Sequence, residues 1–182
     1  MDFESCIKER RSIRKFSERP VAKETFEQIV GLASYAPSWK NTQVARYHVI
    51  TAPVLKEQVA TECVMGFEFN AKTITRAPAL VVLTTVEKVS GYEKDGSFST
   101  AKEDRWEVFD AGIAAQTFCL SAWAEGVGTV ILGIFDEQKV HEVCSLPHGE
   151  KVMALIAAGY PADAPKAAPA RKPAAELLTF DI

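Results

Sequence analysis

Ala79-Leu80-Val81-Val82-Leu83-Thr84-Thr85 is apolar almost throughout and rich in residues branched at Cβ. It reads as a strand buried at the centre of a sheet, since a half-exposed strand would alternate polar and apolar residues. Tyr47-His48-Val49-Ile50-Thr51, Thr129-Val130-Ile131-Leu132 and Val152-Met153-Ala154-Leu155-Ile156-Ala157-Ala158 supply three further strands. Helical spacing fills the intervals. Asp2 caps a run to about Glu9 with Phe3, Cys6 and Ile7 on one face, and Phe26, Ile29, Val30 and Ala33 recur over Ala22–Tyr35. Pro37 stops that second helix, because a residue before proline is turned away from helical angles. Pro53 opens another helix to Val64, and Asp136 caps one to Cys144. The longest helix, Arg105–Glu125, is apolar on nearly every face, which suits the core of an oligomer. Residues 87–103 carry glycines and charges without periodicity, and read either as a lid or binding loop or as disorder.

The chain has 182 residues, enough for a single domain over 1–182 with a real core. Residues 161–182 form an extended arm, rich in proline and alanine up to Pro173, whose Leu177, Leu178 and Phe180 give it something to dock. With 21 Lys+Arg against 24 Asp+Glu, the net charge of −3 argues against nucleic acid as a partner. No apolar run is long enough for a bilayer, and Asp2, Glu4, Glu9 and Glu18 interrupt any signal-peptide core, so no membrane contact and a cytoplasmic location are expected. Cys6, Cys63, Cys119 and Cys144 are scattered, as buried thiols or two disulfides, with a reducing compartment favouring thiols. With His48, His141 and His148 they form no metal-ligand pattern, and no metal is expected.

Against that acidic background the basic residues cluster. Arg10-Arg11-Ser12-Ile13-Arg14 places three guanidiniums and a hydroxyl at a helix exit, and Arg171-Lys172 forms a second pair near the other end. Fork-shaped donors at such density suit one anionic ligand, a phosphate above all. The same run could instead be a solvated helix end that complements the helix dipole. Ser38-Trp39-Lys40-Asn41-Thr42-Gln43, directly after Pro37, is a polar loop. Its Asn41 and Gln43 are also ordinary turn residues, and Trp39 fits an interface anchor as well as a pocket wall. There is no G-x-G-x-x-G, G-x-S-x-G or P-loop and hence no side-chain nucleophile, as expected where a cofactor carries the chemistry.

Taken in order, these pieces resemble the nitroreductase family of FMN-dependent oxidoreductases over nearly the whole chain. Arg10–Arg14 resembles the family's phosphate motif, and Ala36-Pro37-Ser38-Trp39-Lys40-Asn41-Thr42-Gln43 its proline-serine-x-x-asparagine-x-glutamine loop. Asp110-Ala111-Gly112, Gln116 and Ala122-Trp123-Ala124-Glu125-Gly126 resemble its central helix, and Gly159-Tyr160-Pro161 with Arg171 its C-terminal signature. The resemblance implies an α+β fold with a central, mainly antiparallel sheet flanked by helices, and a homodimer with FMN at the subunit interface. It implies hydride transfer from NADH or NADPH through FMN to a flat, electron-poor small molecule, a nitroaromatic or quinone, by a ping-pong mechanism. A dedicated flavin oxidase or dehalogenase on the same scaffold, or a non-enzymatic flavin-binding protein, is the alternative.

The residue roles follow from that resemblance. Arg10, Arg11, Arg171 and Lys172 meet the FMN phosphate, with Ser12 giving a neutral bond. Arg14 faces the pyrimidine edge, where charge develops on two-electron reduction. Pro37, Ser38, Trp39, Asn41 and Gln43 form the loop toward the ribityl chain or ring edge, reaching the neighbouring subunit's flavin. Asn70 is among the cofactor-binding residues, and backbone at Leu132 and Gly133 approaches the ring closely. The chain departs from the pattern at Val44 and Ala45, which replace a proline and an aromatic residue. It departs again at Thr73, where some relatives carry a flavin-contacting lysine that Lys72 could replace, and at Trp39, a position often small.

Overall fold

The central strand is covered on both faces, and each face has its own helical layer. The structure, a computed structural model, describes residues 2–181, so Met1 and Ile182, the ends of the expected domain and arm, lie outside it. The elements run α1 (Phe3–Glu9), α2 (Lys23–Ala33), β1 (Ala45–Ile50), α3 (Pro53–Gln58), α4 (Glu68–Arg76), β2 (Ala79–Val86), α5 (Arg105–Ala124), β3 (Gly128–Leu132), α6 (Glu137–Val143) and β4 (Glu150–Gly159). The sheet order is β1-β2-β4-β3 with every neighbour antiparallel, an α+β arrangement. β2 pairs with β1 from Ala45↔Thr85 to Ile50↔Leu80, and with β4 from Ala79↔Ala158 to Val86↔Glu150, with a bulge at Leu83/Thr84.

Strand alternation then sorts the core. Val81 and Leu83 pack with Phe26 and Ile29 of α2 and Phe118 and Ala122 of α5. Leu80 and Val82 pack on the other face with Val59, Ile74 and Val140. The caps form as read: Asp2 accepts from the Ser5 amide at 3.0 Å and Asp136 from the Lys139 amide at 3.1 Å. The expected Pro53 helix is regular only to Gln58 and widens into a π turn over Val59–Cys63. α4 was not expected, because its polar sequence shows one narrow buried stripe, Asn70, Thr73 and Ile74, and no side-chain cap. All four cysteines are free thiols, and burial first of all pushes Cys63 and Cys144 up to about 11. Among the described residues no helix is long and apolar enough to cross a membrane.

α5 is the longest helix and packs its small residues, Ala111, Ala114, Ala115 and Ala122, into the core. It is not apolar all round: Glu107 and Asp110 are buried while Val108 and Phe109 face outward. Both carboxylates serve the 87–104 excursion, which proves packed rather than disordered. Glu107 accepts from the Lys88 amide at 2.7 Å and Asp110 from the Ser90 hydroxyl at 2.6 Å. Beyond them Tyr92 bridges Phe98, and the Ser99 amide donates to the Gly91 carbonyl at 2.8 Å. Gly91 has φ +86° and lies so close to the returning chain that an added Cβ would sit 2.5 Å from the Glu103 carbonyl oxygen.

The segment after α1 joins the sheet. Ser12 makes a parallel bridge to Thr129, and the Ile13 amide donates to the Thr129 carbonyl at 2.9 Å. The fit depends on Gly128, where a Cβ would fall 2.6 Å from Ile13 Cγ1. Phe16 bridges Pro161, and the Ala162 amide donates to the Lys15 carbonyl at 3.1 Å. Residues 162–181 are exposed and extended, apart from a short 3-10 turn at Ala174–Glu176.

Candidate active site

Two stretches far apart in sequence, residues 10–15 and 163–171, line one cavity of about 480 Å³. Arg10, Ser12, Arg14, Lys15, Lys166 and Arg171 face it, with Asp163 as its acidic member. Asp163 stands 3.9 Å from Lys15 in an exposed pair, which screening leaves weak. The positive charge therefore remains available to an anion. Arg11 has a different task. Its guanidinium donates to the carbonyls of Lys8 (2.6 Å), Arg10 (2.7 Å) and Lys166 (3.2 Å), and so fastens the C-terminal segment against the N-terminal one. Among the described residues the Arg171 guanidinium bonds only local carbonyls, Pro169 at 2.9 Å and Ala170 at 3.3 Å.

A second group lies beside this cavity. Arg14 stands over the Phe69 ring at 5.7 Å. Asn70, buried, donates to the Ile134 carbonyl at 3.1 Å and so fixes the chain leaving β3. Leu132 is buried in the core, whereas at Gly133 nothing lies within 4 Å of where a Cβ would be. The backbone there is open to a ligand. Thr73 is buried with its hydroxyl on the Phe69 carbonyl, and Lys72 pairs with Glu68 at 2.8 Å on the exposed face of α4.

The 38–43 loop lines a different cavity, of about 260 Å³, with Pro37, Ser38 and Gln43 on one side and Tyr47, Asp110 and Ala114 on the other. It is a tight turn rather than a loose loop. Lys40, Asn41 and Gln43 all have φ between +45° and +57°, the left-handed region that non-glycine residues enter at a cost. Asp110, 3% exposed, accepts the Trp39 amide through both oxygens at 3.0 and 3.1 Å. Ser38 Oγ accepts the Gln43 amide at 2.9 Å and closes the turn. The Trp39 ring packs on Trp106 at 4.5 Å, and Asn41 is exposed with its oxygen near Gln43 Nε2 at 3.4 Å. Burial pushes the Tyr47 hydroxyl up to about 12, so it stays a neutral donor to the Ala114 carbonyl.

The structure thus brings Arg10, Arg11, Ser12, Arg14 and Arg171 together around one cavity. It holds Pro37, Ser38, Trp39, Asn41 and Gln43 elsewhere on the same chain. α1 is anchored through Cys6 Sγ to the Leu120 carbonyl at 3.4 Å, while the turn is anchored at Asp110. Ten residues of helix separate those anchors by about 15 Å. Lys172 does not line the cavity and pairs with Glu176 at 3.6 Å. Lys15 and Lys166 take up that position; neither stands in a motif, and only the fold of the arm against residues 10–15 brings them in. Asp110 and Ser90 were also missed as partners, for their contact crosses twenty residues of irregular chain.

The sequence profile of the Nitroreductase family matches residues 7–160. An Archaeoglobus fulgidus protein, provisionally named an NADH dehydrogenase/NAD(P)H nitroreductase, is 28% identical over 168 residues, 88% of each chain. The crystal structure of a nitroreductase family protein from Clostridium novyi NT superposes with a TM-score of 0.77 at 29% identity, over 90% of this chain and 87% of that one. An FMN-dependent nitroreductase from Clostridium difficile R20291 shares the fold with a TM-score of 0.79 at 23% identity, over 99% of both chains. With the profile spanning the sheet, the basic segment and the turn, the chain belongs to the Nitroreductase family.

Proposed function

We propose that the protein is an FMN-dependent oxidoreductase that carries hydride from NADH or NADPH to a flat, electron-poor acceptor such as a nitroaromatic or a quinone, with ping-pong kinetics, as a homodimer. The observation that carries this reading is the convergence of Arg10, Ser12, Arg14, Lys15, Lys166 and Arg171 on one cavity of an acidic chain. That donor set fits a phosphate-bearing cofactor: several cations and a hydroxyl face a single acid. FMN, when bound, supplies the two-electron chemistry that no side chain here offers. The protein's residues bind and orient. Arg10 and Arg171 neutralise the phosphate, while Arg11 holds the arm that brings Lys166 and Arg171 to it. Arg14 places positive charge beside the ring edge, and the open backbone at Gly133, steadied by Asn70, allows close approach.

The dimer is supported by two features. Apolar surface on α1 (Phe3, Ile7), α5 (Val108, Phe109) and the arm (Leu177, Leu178, Phe180) lies exposed in one chain. The 38–43 turn also sits away from the basic cavity of its own chain, so a second copy is the means of bringing one to the other. The test is anaerobic addition of NADH or NADPH to the purified protein. A yellow preparation bleached by reductant, with a light-scattering mass of twice 20.0 kDa, is expected. A protein that stays colourless and binds no added FMN overturns the proposal. Bound flavin that neither nucleotide bleaches leaves a flavin-binding protein without this activity.

A further inference from the structure

We infer that Asp110 is a positioning residue that locks the Ser38–Gln43 turn in its ligand-binding shape, and that Ser90 makes the 87–104 excursion part of the same lock. This rests on the flavin reading of that turn. Glu107 and Asp110, one helical turn apart on α5, are its two buried carboxylates. Glu107 takes the Lys88 amide and Asp110 the Ser90 hydroxyl, so both fasten the start of the excursion. Asp110 alone also takes the Trp39 amide. One carboxylate therefore joins two loops that share no sequence neighbourhood.

The joint continues outside. Lys40 meets Glu93 at 2.9 Å, and Ser99 Oγ donates to the same Glu93 oxygen at 2.5 Å. Trp39 lies on Trp106, which in turn contacts Phe109 edge-on at 5.4 Å. The turn needs such support. Three non-glycine residues at positive φ within four positions are held only where the surroundings over-determine them. Among the described residues Trp39 Nε1 and Thr42 Oγ1 are buried without a partner, so apart from the Ser38 hydroxyl on the Gln43 amide the turn is fixed from its base at Asp110. A buried carboxylate accepting an amide and a hydroxyl is strong enough for that part, because removing it strands the Trp39 amide.

The experiment compares Asp110→Ala, Asp110→Asn and Ser90→Ala in the full chain. Fluorescence titration with FMN and with riboflavin gives affinities, thermal melts report folding, and hydrogen exchange follows the amides of 38–43 and 90–99. Asp110→Ala weakens both flavins by the same factor, about tenfold. Loss of a phosphate contact would weaken FMN alone. Asp110→Asn, which keeps an oxygen for the Trp39 amide, recovers most of the affinity. Ser90→Ala, which leaves the turn's own bonds intact, speeds exchange in 38–43 as well as in the excursion. Unchanged flavin affinity in well-folded Asp110→Ala overturns the positioning role, and exchange confined to 90–99 in Ser90→Ala overturns the coupling. If Asp110→Ala does not fold, Ser90→Ala still decides the coupling, and hydrogen exchange in Asp110→Asn decides the lock. Faster exchange at 38–43 than in wild type is expected, because the neutral amide is the weaker acceptor, and unchanged exchange overturns it. Wild-type protein that binds neither flavin overturns the function itself, and the exchange pattern, which needs no ligand, then judges the lock separately.

Discussion

The basic cavity and the 38–43 turn are built in opposite ways. The cavity gathers half-buried and exposed cations on irregular chain, joined by Arg11 to a segment that is otherwise solvent-exposed. The turn is short, strained and held from beneath by a carboxylate 3% exposed. Charge attraction falls off slowly with distance, so long side chains on loosely held backbone suffice to hold a phosphate. Hydrogen bonds to hydroxyls or a ring edge fail within a few tenths of an ångström, so the residues making them need a rigid base. On the proposed flavin reading, one ligand would be held by two kinds of order, plentiful charge at one end and fixed geometry at the other.

The largest effect should come from the charged end. Arg10→Ala should weaken FMN by about 1.5–3 kcal/mol, roughly 10- to 150-fold, while leaving riboflavin nearly unaffected. Titration of the apoprotein with each flavin reads it, and an equal loss for both would erase the distinction between the two regions. Gly128→Ala strikes the cavity through its support instead. The new methyl would meet Ile13, at a cost of about 1–3 kcal/mol. A melting temperature lower by several degrees is expected, with FMN weakened because residues 10–14 shift, and the 38–43 amides unchanged in exchange. A melt identical to wild type would show that the segment does not depend on this close fit.

A smaller effect separates binding from tuning. Arg14→Gln should lower the midpoint potential of bound FMN by about 30 mV, equivalent to about 1.4 kcal/mol in a two-electron couple, with modest change in affinity. Spectroelectrochemistry measures it; a potential equal to wild type with flavin fully bound moves the role to the backbone at Gly133. The smallest effect concerns Glu107, on the rigid side. Burial raises its carboxyl above the usual range, with the Lys88 amide and Lys151 pulling the other way. A raised carboxyl favours the fold below its unfolded value and loses that contribution as pH rises through the folded one. Glu107→Gln should therefore be more stable than wild type at pH 8, with the gap closing at pH 4. Urea melts at both pH values test this, and a pH-independent gap would assign the effect to packing alone.

What the sequence revealed divides along the same line. β2, α5 and the caps at Asp2 and Asp136 were legible because their signals are local: an apolar run, a helical repeat, a side chain three residues from its amide. The cluster at Arg10–Arg14 was legible because charge in an acidic chain stands out. Lys166 was not, since only the path of the C-terminal segment brings it to the cavity, nor was Lys172's pairing with Glu176 in place of the cavity. α4 hid because its outward face is polar and its start has no capping side chain. Asp110 resembled part of a family helix, but its grip on Trp39 and Ser90 is a contact between distant segments that no spacing rule encodes. The same holds for the order in residues 87–104, which comes from their partners on α5.

The narrow neck of that excursion bears on how the family can diversify. Gly91 admits no side chain against Glu103, so the two strands of the neck must leave and re-enter α5's surface at a fixed spot. At the tip, by contrast, Gly96 has nothing within 4 Å and Asp95 and Ser97 bond each other, while Glu93 at its base reaches Lys40 of the turn at 2.9 Å. Insertions or deletions between residues 94 and 98 would thus change reach and chemistry without disturbing the helix below. The excursion is a cassette with a fixed socket, and tips of different length grafted between residues 94 and 98 would leave the Lys40–Glu93 pair and the helix below in place.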